Sequence, residues 1–306
     1  MTPTLYMLVG LPASGKSTYA QELAEKYNAN IHASDEIRKE LSGDINNQNV
    51  NDLVFQTLHK RVKDDLSNGK SCIYDATNIS YKRRMAFLNE LNKIPCKKVC
   101  IVMATPYEEC IKQNNTRERK VPAEVIEKMY RNFDIPYWYE GWDDIEIYYA
   151  KDSMSYYGWI KDWLKSVMKY NQDNSHHTLT LGEHCNKTWQ NVCDYNNAFP
   201  LRMDVRIAGM LHDCGKPFCK TFTNGKGEIT EQAHYYDHER VGSYNTLFYT
   251  MFAKPLDVAV LIRWHMQPYF WEKDNNEKMH NKYKKLWGEK LYNNVMLLHK
   301  ADRNAH

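Results

Sequence analysis

The chain has 306 residues, a length that predicts two domains of ordinary size. Hydrophobic residues make up 42% and charged residues 26%, the usual mix of a globular protein, and no apolar run approaches the roughly 20 residues needed to cross a membrane. The net charge of +3 is too small to establish a polyanionic partner and does not exclude one.

The N-terminal sequence MTPTLYMLVG has no basic region and leads directly into a glycine motif, which predicts a first strand and not a signal peptide. The eight cysteines form no C-x-x-C pair, so a zinc ribbon is not expected. We therefore expect a cytoplasmic protein with reduced thiols.

The first half of the chain alternates strand and helix patterns. Short apolar runs predict strands, and segments with apolar residues three or four apart follow them. The predicted strands are Leu5–Val9, Cys72–Tyr74, Val99–Met103 and Ile145–Tyr149. This alternation predicts an α/β domain over residues 1–152, with a parallel sheet flanked by helices.

A phosphate-binding motif follows the first predicted strand. Residues 10–17, GLPASGKS, fit the pattern G-x-x-x-x-G-K-[ST], whose glycines let backbone N–H groups surround a phosphate. We expect Lys16 to reach the β and γ phosphates of ATP or another nucleoside triphosphate, and Ser17 to ligate Mg²⁺. The predicted nucleotide-binding residues in this segment are Gly10, Ser14, Gly15, Lys16, Ser17 and Thr18.

Polar residues after a short second strand, expected just before His32, and after the strand Cys72–Tyr74 narrow the chemistry. Asp35 is placed to accept a proton from an attacking hydroxyl, or else serves only as a helix N-cap, and Arg38 follows one helical turn later. The segment DATN at 75–78 ends a predicted strand and faces the ligand crevice. Of the next basic residues, Arg83 and Arg84, one contacts the acceptor or the sheet edge, or both form a solvated basic face.

A basic segment, residues 114–122, lies between two predicted helices and suits a lid over ATP, with Arg117 stabilising the transferred phosphoryl group, or a plain surface loop. With the motifs above, this segment resembles the polynucleotide 5′-kinase family of P-loop phosphotransferases over residues 1–150. The resemblance implies that Asp35 is the general base, that Arg38 binds the acceptor phosphate and that Arg117 contacts the triphosphate.

Beyond residue 152 the pattern changes. Residues 153–174 predict a connecting helix and linker, and residues 175–306 read almost entirely as helices, which predicts an all-α domain. The segment NGKG at 224–227 predicts a turn or the tip of a small hairpin. Histidine and aspartate residues fall on or beside the apolar faces of these helices, where an unpaired carboxylate is costly unless it binds a metal.

These residues follow the order His184, His212-Asp213, His238, His265 and Asp302. This order resembles that of the HD phosphohydrolase superfamily, whose central and terminal motifs match MLHDCGKP at 210–217 and KADR at 300–303. The resemblance implies one metal bound by the first, second and last motifs and a second bound by further histidines, with Asp213 bridging and Lys216 neutralising a substrate phosphate. His238 is preferred over His234 for the second metal. The implied ligands are His184, His212, Asp213, His238, His265 and Asp302, which accept Mn, Ni, Co, Fe or Zn.

Together the two resemblances predict a bifunctional enzyme of bacterial or phage type that heals nucleic-acid ends. The kinase would phosphorylate a 5′-hydroxyl, and the HD domain would remove a 3′-phosphate or 2′,3′-cyclic phosphate. The expected partners are single-stranded RNA or DNA ends and a separate ligase, with no membrane. Two alternatives remain: a nucleoside or metabolite kinase fused to a nucleotidase, and a nucleotide-binding regulatory protein with a sensing HD module.

Overall fold

The computed structural model describes residues 2–150, 163, 165–175, 178–195, 203–248, 254–273 and 276–305. The chain forms two compact units. The first comprises Met1–Met129 and Pro136–Ser153, and the second comprises Tyr130–Ile135 and Met154–His306. About half of the predicted linker, 153–174, lies outside the described residues.

The first unit is built on a five-stranded sheet in which every strand pair is parallel. Its strands are β1 (Thr4–Val9), β2 (Asn30–Ala33), β3 (Cys72–Asp75), β4 (Lys97–Ala104) and β5 (Asp144–Tyr149). They lie in the order β2-β3-β1-β4-β5, so β2 and β3 lie on one side of β1 and β4 and β5 lie on the other. The predicted parallel sheet is confirmed, and the carboxyl ends of β1 and β3 meet at the crevice where ligands bind in such sheets.

Helices connect these strands, as parallel pairing requires. They are α1 (Lys16–Tyr27), α2 (Ser34–Ser42), α3 (Asn51–Ser67), α4 (Tyr81–Glu90), α5 (Tyr107–Thr116) and α6 (Ala123–Arg131), with single 3-10 turns at Gln48–Val50 and Trp138–Glu140. Leu23 of α1 packs against Leu8, Ile73 and Ile101 of the sheet, all of them buried. This apolar layer anchors the start of α1 beside the end of β1.

Arg84 is a structural residue of the first unit. Its Nε and Nη2 donate to the two carboxylate oxygens of Glu140 at 2.8 and 2.7 Å, and both side chains are fully buried. Arg84 Nη1 also donates to the Asn78 carbonyl at 2.9 Å, and Trp142 Nε1 donates to Glu140 at 3.0 Å. A solvated position is therefore wrong for Arg84, because its charge is satisfied inside the protein, and the predicted contact with the acceptor or the sheet edge stays a prediction for Arg83.

The second unit is mainly helical, with α7 (Leu181–Tyr195), α8 (Met203–Leu211), α9 (Lys216–Cys219), α10 (His238–Thr246), α11 (Pro255–Trp264), α12 (Gln267–Lys273) and α13 (Glu277–Arg303). Gly288 interrupts α13 with φ 77° and ψ 163°. Strands β6 (Thr221–Thr223) and β7 (Ile229–His234) form an antiparallel hairpin around the predicted turn. This hairpin departs from the expected all-α domain.

The segment Tyr130–Ile135 lies between parts of the first unit in sequence but belongs to the second. Phe133 packs edge to face on Tyr244 of α10 with ring centroids 4.7 Å apart. Asp134 Oδ1 accepts hydrogen bonds from Arg263 Nε and Nη2 at 3.0 and 2.9 Å. The sequence pattern did not predict this discontinuous organisation.

Within the part of the chain that the structure describes, no helix combines the length and apolar character required to cross a membrane.

Candidate functional site

The loop after β1 has the tight geometry of a phosphate cradle. A Cβ on Gly10 would lie 2.6 Å from Ser14 Oγ and 2.9 Å from Met103 Cβ, so only glycine fits there. Gly15 has φ 88°, a left-handed conformation that favours glycine. Thr105 Oγ1 donates to the Ser14 carbonyl at 3.0 Å and fixes the loop to the end of β4. The loop therefore turns directly into the N-terminus of α1, and the amides at a helix N-terminus suit an anion.

Lys16 lies inside this loop, where its Nζ donates to the carbonyls of Leu11 at 2.6 Å and Gly10 at 3.1 Å. Burial lowers the pKa of Lys16, although nearby Asp75 opposes the shift. Burial raises the pKa of Asp75, while Lys16 and a hydrogen bond with Ser17 oppose that shift. Thr18 is exposed in the first turn of α1.

The Ser17–Asp75 contact adds Asp75 to the candidate site. The sequence pattern places Asp75 at the crevice but assigns it no role. Asp75 ends β3 and is paired in register with Leu8 of β1. In P-loop enzymes a hydroxyl of the loop and an aspartate at the end of a neighbouring strand hold Mg²⁺ together. The feature that indicates this role is the position of Asp75 as the last residue of buried β3, next to β1, which precedes the phosphate loop.

Asp35 lies in the first turn of α2, between two guanidinium groups. Arg38 Nη1 donates to Asp35 Oδ1 at 2.8 Å, and Arg119 Nη1 donates to Asp35 Oδ2. Arg38 Nη2 also donates to Asn51 Oδ1 at 2.7 Å. Arg38 is buried and its Nε has no hydrogen-bond partner among the described residues, so this guanidinium retains an unused donor beside Asp35.

The segment between α5 and α6 carries two arginines that face different parts of the first unit. Arg117 has an extended backbone, with φ −80° and ψ 152°, and lies close enough to Lys16 and Asp75 to lower the pKa of each. Arg119, two residues later, contacts Asp35 and Asn46. The prediction named Arg117 alone. Arg119 was missed because its contacts with Asp35 and Asn46 join residues 84 and 73 positions apart in the sequence, which no local pattern indicates.

The second unit gathers the predicted metal ligands from five helical elements. His184 lies in α7 and Asp302 near the end of α13, while His238 begins α10. His212 and Asp213 directly follow α8, and His265 directly follows α11. All six side chains are buried. Residues up to 118 positions apart in the sequence thus meet in one cluster, which we call the histidine–aspartate cage.

A backbone carbonyl near Nδ1 fixes the ring orientation of each histidine in the cage. The Nδ1 atoms of His212, His238 and His265 lie 2.9, 2.7 and 2.7 Å from the carbonyls three residues earlier. His184 Nδ1 lies 3.2 Å from the Ala305 carbonyl. Because a carbonyl can only accept, each Nδ1 donates, and each ring directs its Nε2 to the interior. This is the arrangement found behind metal-bound histidines.

The first half of the cage contains His184, His212 and Asp302. The two Nε2 atoms are 3.1 Å apart, and each faces Asp302 Oδ1, at 3.0 Å from His184 and 3.3 Å from His212. Asp213 Oδ2 lies 3.4 Å from His184 Nε2 and 3.3 Å from His212 Nε2. Tyr269 donates its hydroxyl to Asp302 Oδ2 at 3.1 Å and restrains that carboxylate.

The second half contains His238 and His265, whose Nε2 atoms are 3.3 Å apart. Asp213 Oδ1, the other oxygen of the shared carboxylate, lies 3.3 Å from His238 Nε2 and 3.8 Å from His265 Nε2. His234 stays outside the cage, where its Nε2 contacts Thr230 Oγ1 at 3.0 Å and its ring stacks on Tyr236. The geometry thus brings His238 and not His234 into the cluster.

Charge in the cage is concentrated and mutually balanced. Burial disfavours ionised Asp213, yet Lys216 and His212 hold the pKa of that carboxyl well below its usual range. Burial likewise disfavours protonated His212, but Asp213 and Asp302 raise its pKa to about 10. Lys216 Nζ lies 2.7 Å from Asp213 Oδ2 and donates to Gln172 Oε1 at 2.8 Å. In this structure Lys216 therefore contacts a predicted ligand.

Two groups of these side chains could each hold a metal ion. The ligand atoms of His184, His212 and Asp213 lie within 4.8 Å of one another, and so do those of Asp213, His238 and His265. Imidazole nitrogens with carboxylate oxygens suit divalent first-row transition metals. Asp213 presents one carboxylate oxygen to each half and would be the residue that the two sites share.

Comparison with known proteins identifies the class of the first unit. Residues 5–136 match the family model described as AAA domain (AAA_33). With the loop geometry and the parallel sheet, this match makes the N-terminal part a P-loop kinase-like domain.

Two curated proteins share this region. The L-seryl-tRNA(Sec) kinase of Methanococcus maripaludis is 31% identical over 143 residues, covering 45% of this chain and 56% of that protein. The protein kti12 of Schizosaccharomyces pombe is 25% identical over 152 residues, covering 45% of this chain and 54% of that protein. The chain therefore spans little more than half the length of these relatives.

Among solved structures, one chain of the Pnkp1/Rnl/Hen1 RNA repair complex is 24% identical, with a TM-score of 0.38 over 43% of this chain and 44% of that one. A gluconokinase from Sinorhizobium meliloti 1021 is 13% identical, with a TM-score of 0.35 over 49% of this chain and 84% of that one.

Proposed function

We propose that the protein is a bifunctional nucleic-acid end-healing enzyme, with an ATP-dependent 5′-hydroxyl kinase in residues 1–152 and an HD-type phosphohydrolase in residues 175–306. The observation that carries the proposal is the presence in one polypeptide of two separately built centres suited to phosphate. One is the amide loop with Lys16 and Asp35, and the other is the cage around Asp213.

The kinase step follows from the groups at the crevice. Lys16 and the loop amides hold the β and γ phosphates of ATP, and Ser17 and Asp75 hold Mg²⁺. Asp35 accepts the proton of the acceptor hydroxyl as its oxygen attacks the γ-phosphorus. The bond from that phosphorus to the β-bridging oxygen breaks, and ADP leaves with both electrons of the bond. Arg38 and Arg119 flank Asp35 and are placed to orient an anionic acceptor.

The hydrolytic step uses the cage. His184, His212, Asp213 and Asp302 would hold one metal ion, and His238 and His265 with Asp213 a second. When bound, two such ions supply an activated water and stabilise the oxygens of a displacement at phosphorus. The carbonyls behind the four histidines keep their Nε2 atoms directed inward, and Tyr269 restrains Asp302. The products, a 5′-phosphate and a 3′-hydroxyl, are ends that a separate ligase can join.

A second candidate concerns the kinase acceptor alone. The relative from Methanococcus maripaludis is named as a kinase of L-seryl-tRNA(Sec), and it shares 31% identity over 143 residues. A hydroxyl on an aminoacylated tRNA is therefore an alternative to a 5′-hydroxyl end. Both acceptors are polynucleotides, so the same loop, general base and flanking arginines would serve either one.

The decisive experiment offers a radiolabelled oligoribonucleotide with a 5′-hydroxyl and a 2′,3′-cyclic phosphate, together with ATP, Mg²⁺ and Mn²⁺. We expect a gain of phosphate at the 5′ end and its loss at the 3′ end. Seryl-tRNA is assayed in parallel with the same ATP. Transfer to seryl-tRNA without transfer to the 5′-hydroxyl would favour the second candidate.

Paired substitutions separate the two centres. Lys16→Ala should remove phosphate transfer and spare hydrolysis, whereas Asp213→Asn should spare phosphate transfer and remove hydrolysis. If either substitution abolishes both reactions in a folded protein, the model of two independent centres is wrong.

A further inference from the structure

The first eleven residues of α13, 277–287, form a short helical arm that ends at the break in Gly288. We call this segment the basic arm. Its backbone leaves helical geometry at Gly288, whose φ is 77°, and a Cβ on that glycine would meet nothing within 4 Å. The break separates the basic arm from the remainder of α13, which carries Asp302.

The inner face of the basic arm is aromatic. Tyr283 and Trp287 lie 4.7 Å apart between ring centroids, and both pack on Trp271 of α12, at 4.8 and 5.7 Å. They also contact Trp264 at the end of α11, at 5.8 and 5.2 Å. Trp264 directly precedes His265 of the cage. One aromatic layer therefore joins the basic arm to the cage.

The outer face of the basic arm carries lysines. At 100° per residue, Lys278, Lys282 and Lys285 fall on one stripe, opposite Trp287 and Tyr283. All three are exposed, and none forms an ion pair with another described residue. Lys284 differs, because it lies toward the flank and its Nζ is 3.1 Å from Glu289. The stripe is thus a run of three uncompensated charges on a rigidly packed helix.

We propose that the stripe of Lys278, Lys282 and Lys285 is a binding surface for the phosphate backbone of a single-stranded nucleic acid. This inference rests on the proposed function and names how that substrate is held. Three lysines that rise along a helix by about 6 and 4.5 Å present a line of positive charge that matches a polyanionic strand. The aromatic packing holds this line fixed relative to His265.

The test measures salt-dependent binding of a fluorescent 12-nucleotide RNA that carries a 5′-phosphate and a 3′-hydroxyl, so that neither centre can act on it. The triple variant K278Q/K282Q/K285Q keeps helix propensity nearly unchanged. Each lost phosphate contact lowers the steepness of log K against log salt by about 0.7 for single strands, so we expect a decrease of about 2. An unchanged slope overturns the proposal.

Lys284→Gln is the matched control, because it removes a charge of the same arm that Glu289 already compensates. We expect it to leave the slope unchanged, and an equal effect of the control would overturn the proposal. Hydrolysis of a 2′,3′-cyclic mononucleotide, which has no chain to bind, should be the same in the wild type and the triple variant. If that hydrolysis persists while RNA binding is insensitive to the triple variant, the phosphohydrolase stands and the surface does not.

A second arm of the experiment uses vesicles that contain phosphatidylserine. We expect no binding that depends on the three lysines. Vesicle binding lost in the triple variant, with RNA binding intact, would assign the stripe to a membrane surface and refute a nucleic-acid role.

Discussion

Arg119, on the segment between α5 and α6, donates a hydrogen bond to Asp35, the residue proposed as the general base. The same carboxylate accepts a second hydrogen bond from Arg38 at 2.8 Å. Asp35 is therefore held between a guanidinium from its own helix and one from the segment over the crevice. This pairing divides the roles of the two lid arginines, because Arg117 lies on the side of Lys16 and Asp75.

That division predicts different kinetic effects for the two arginines. Arg119→Ala should raise the KM for the acceptor about tenfold and leave the KM for ATP nearly unchanged, since a charge-assisted contact contributes about 1.5–3 kcal/mol. Arg117→Ala should raise the KM for ATP and leave the KM for the acceptor nearly unchanged. Steady-state kinetics with each substrate varied in turn distinguish them. An effect of Arg119→Ala on the KM for ATP alone would contradict the assignment.

Metal content should follow the two halves of the cage. After reconstitution with Mn²⁺, the wild type should hold two ions per chain by elemental analysis. His265→Ala should retain one, because the first half keeps His184, His212, Asp213 and Asp302. Asp213→Asn should lower the metal occupancy of both halves, since the Asp213 carboxylate contacts histidines of each half.

His234→Ala is the control for this series, because His234 lies in the neighbouring hairpin and outside the cage. It should bind two ions as the wild type does. A loss of one ion in His234→Ala, with His238→Ala unaffected, would reverse the choice between these histidines.

Gly215 is expected to tolerate no side chain. A Cβ there would lie 2.1 Å from the His238 carbonyl oxygen and 2.7 Å from the Gly242 amide nitrogen, both backbone atoms of α10. Gly215→Ala should destabilise the second unit by about 3 kcal/mol, at the upper end of overpacking costs, and displace His238. Calorimetry measures the resulting decrease in the melting temperature of the second unit. Gly225→Ala, whose Cβ would lie 3.7 Å from the Tyr236 hydroxyl, is the tolerant counterpart, and equal melting of both variants would disprove the clash.

Removing one partner of the buried Arg84–Glu140 pair should be costly. Glu140→Leu leaves the guanidinium charge unpaired in the interior, which costs about 3–5 kcal/mol, whereas the double change Arg84→Met with Glu140→Leu should recover most of that loss. Asp64→Ala, in the exposed pair with Lys60, should cost no more than about 0.5 kcal/mol. Thermal unfolding of the first unit checks all three, and a mild effect of Glu140→Leu would argue against the pair.

Local signals explain what the sequence predicts well. The phosphate loop is a contiguous motif between a strand and a helix, so its residues predict both its conformation and the parallel sheet around it. The cage ligands were predicted through the resemblance of their order to a known superfamily, since no spacing rule alone brings His184 and Asp302 together. Asp75 was placed at the crevice by its strand end alone.

Other features depend on contacts that no local pattern encodes. Glu140 meets Arg84 across 56 positions of sequence, and neither residue carries a sign of its partner. Arg119 is distinguished from Arg117 only by its contact with Asp35, which lies 84 positions away in the sequence. The grouping of Tyr130–Ile135 with the second unit also escaped prediction, because its helical pattern continues from the first.

That last feature bears on any attempt to study the halves apart. A cut after residue 152 would take Asp134 away from Arg263, which lies two positions before His265, and Phe133 away from Tyr244. The isolated C-terminal fragment would thus lack part of its own interior. A failure of this fragment to bind metal would therefore say nothing about the intact chain. Activity lost on dissection is to be expected here, so the two chemistries are better separated by point substitution than by proteolysis.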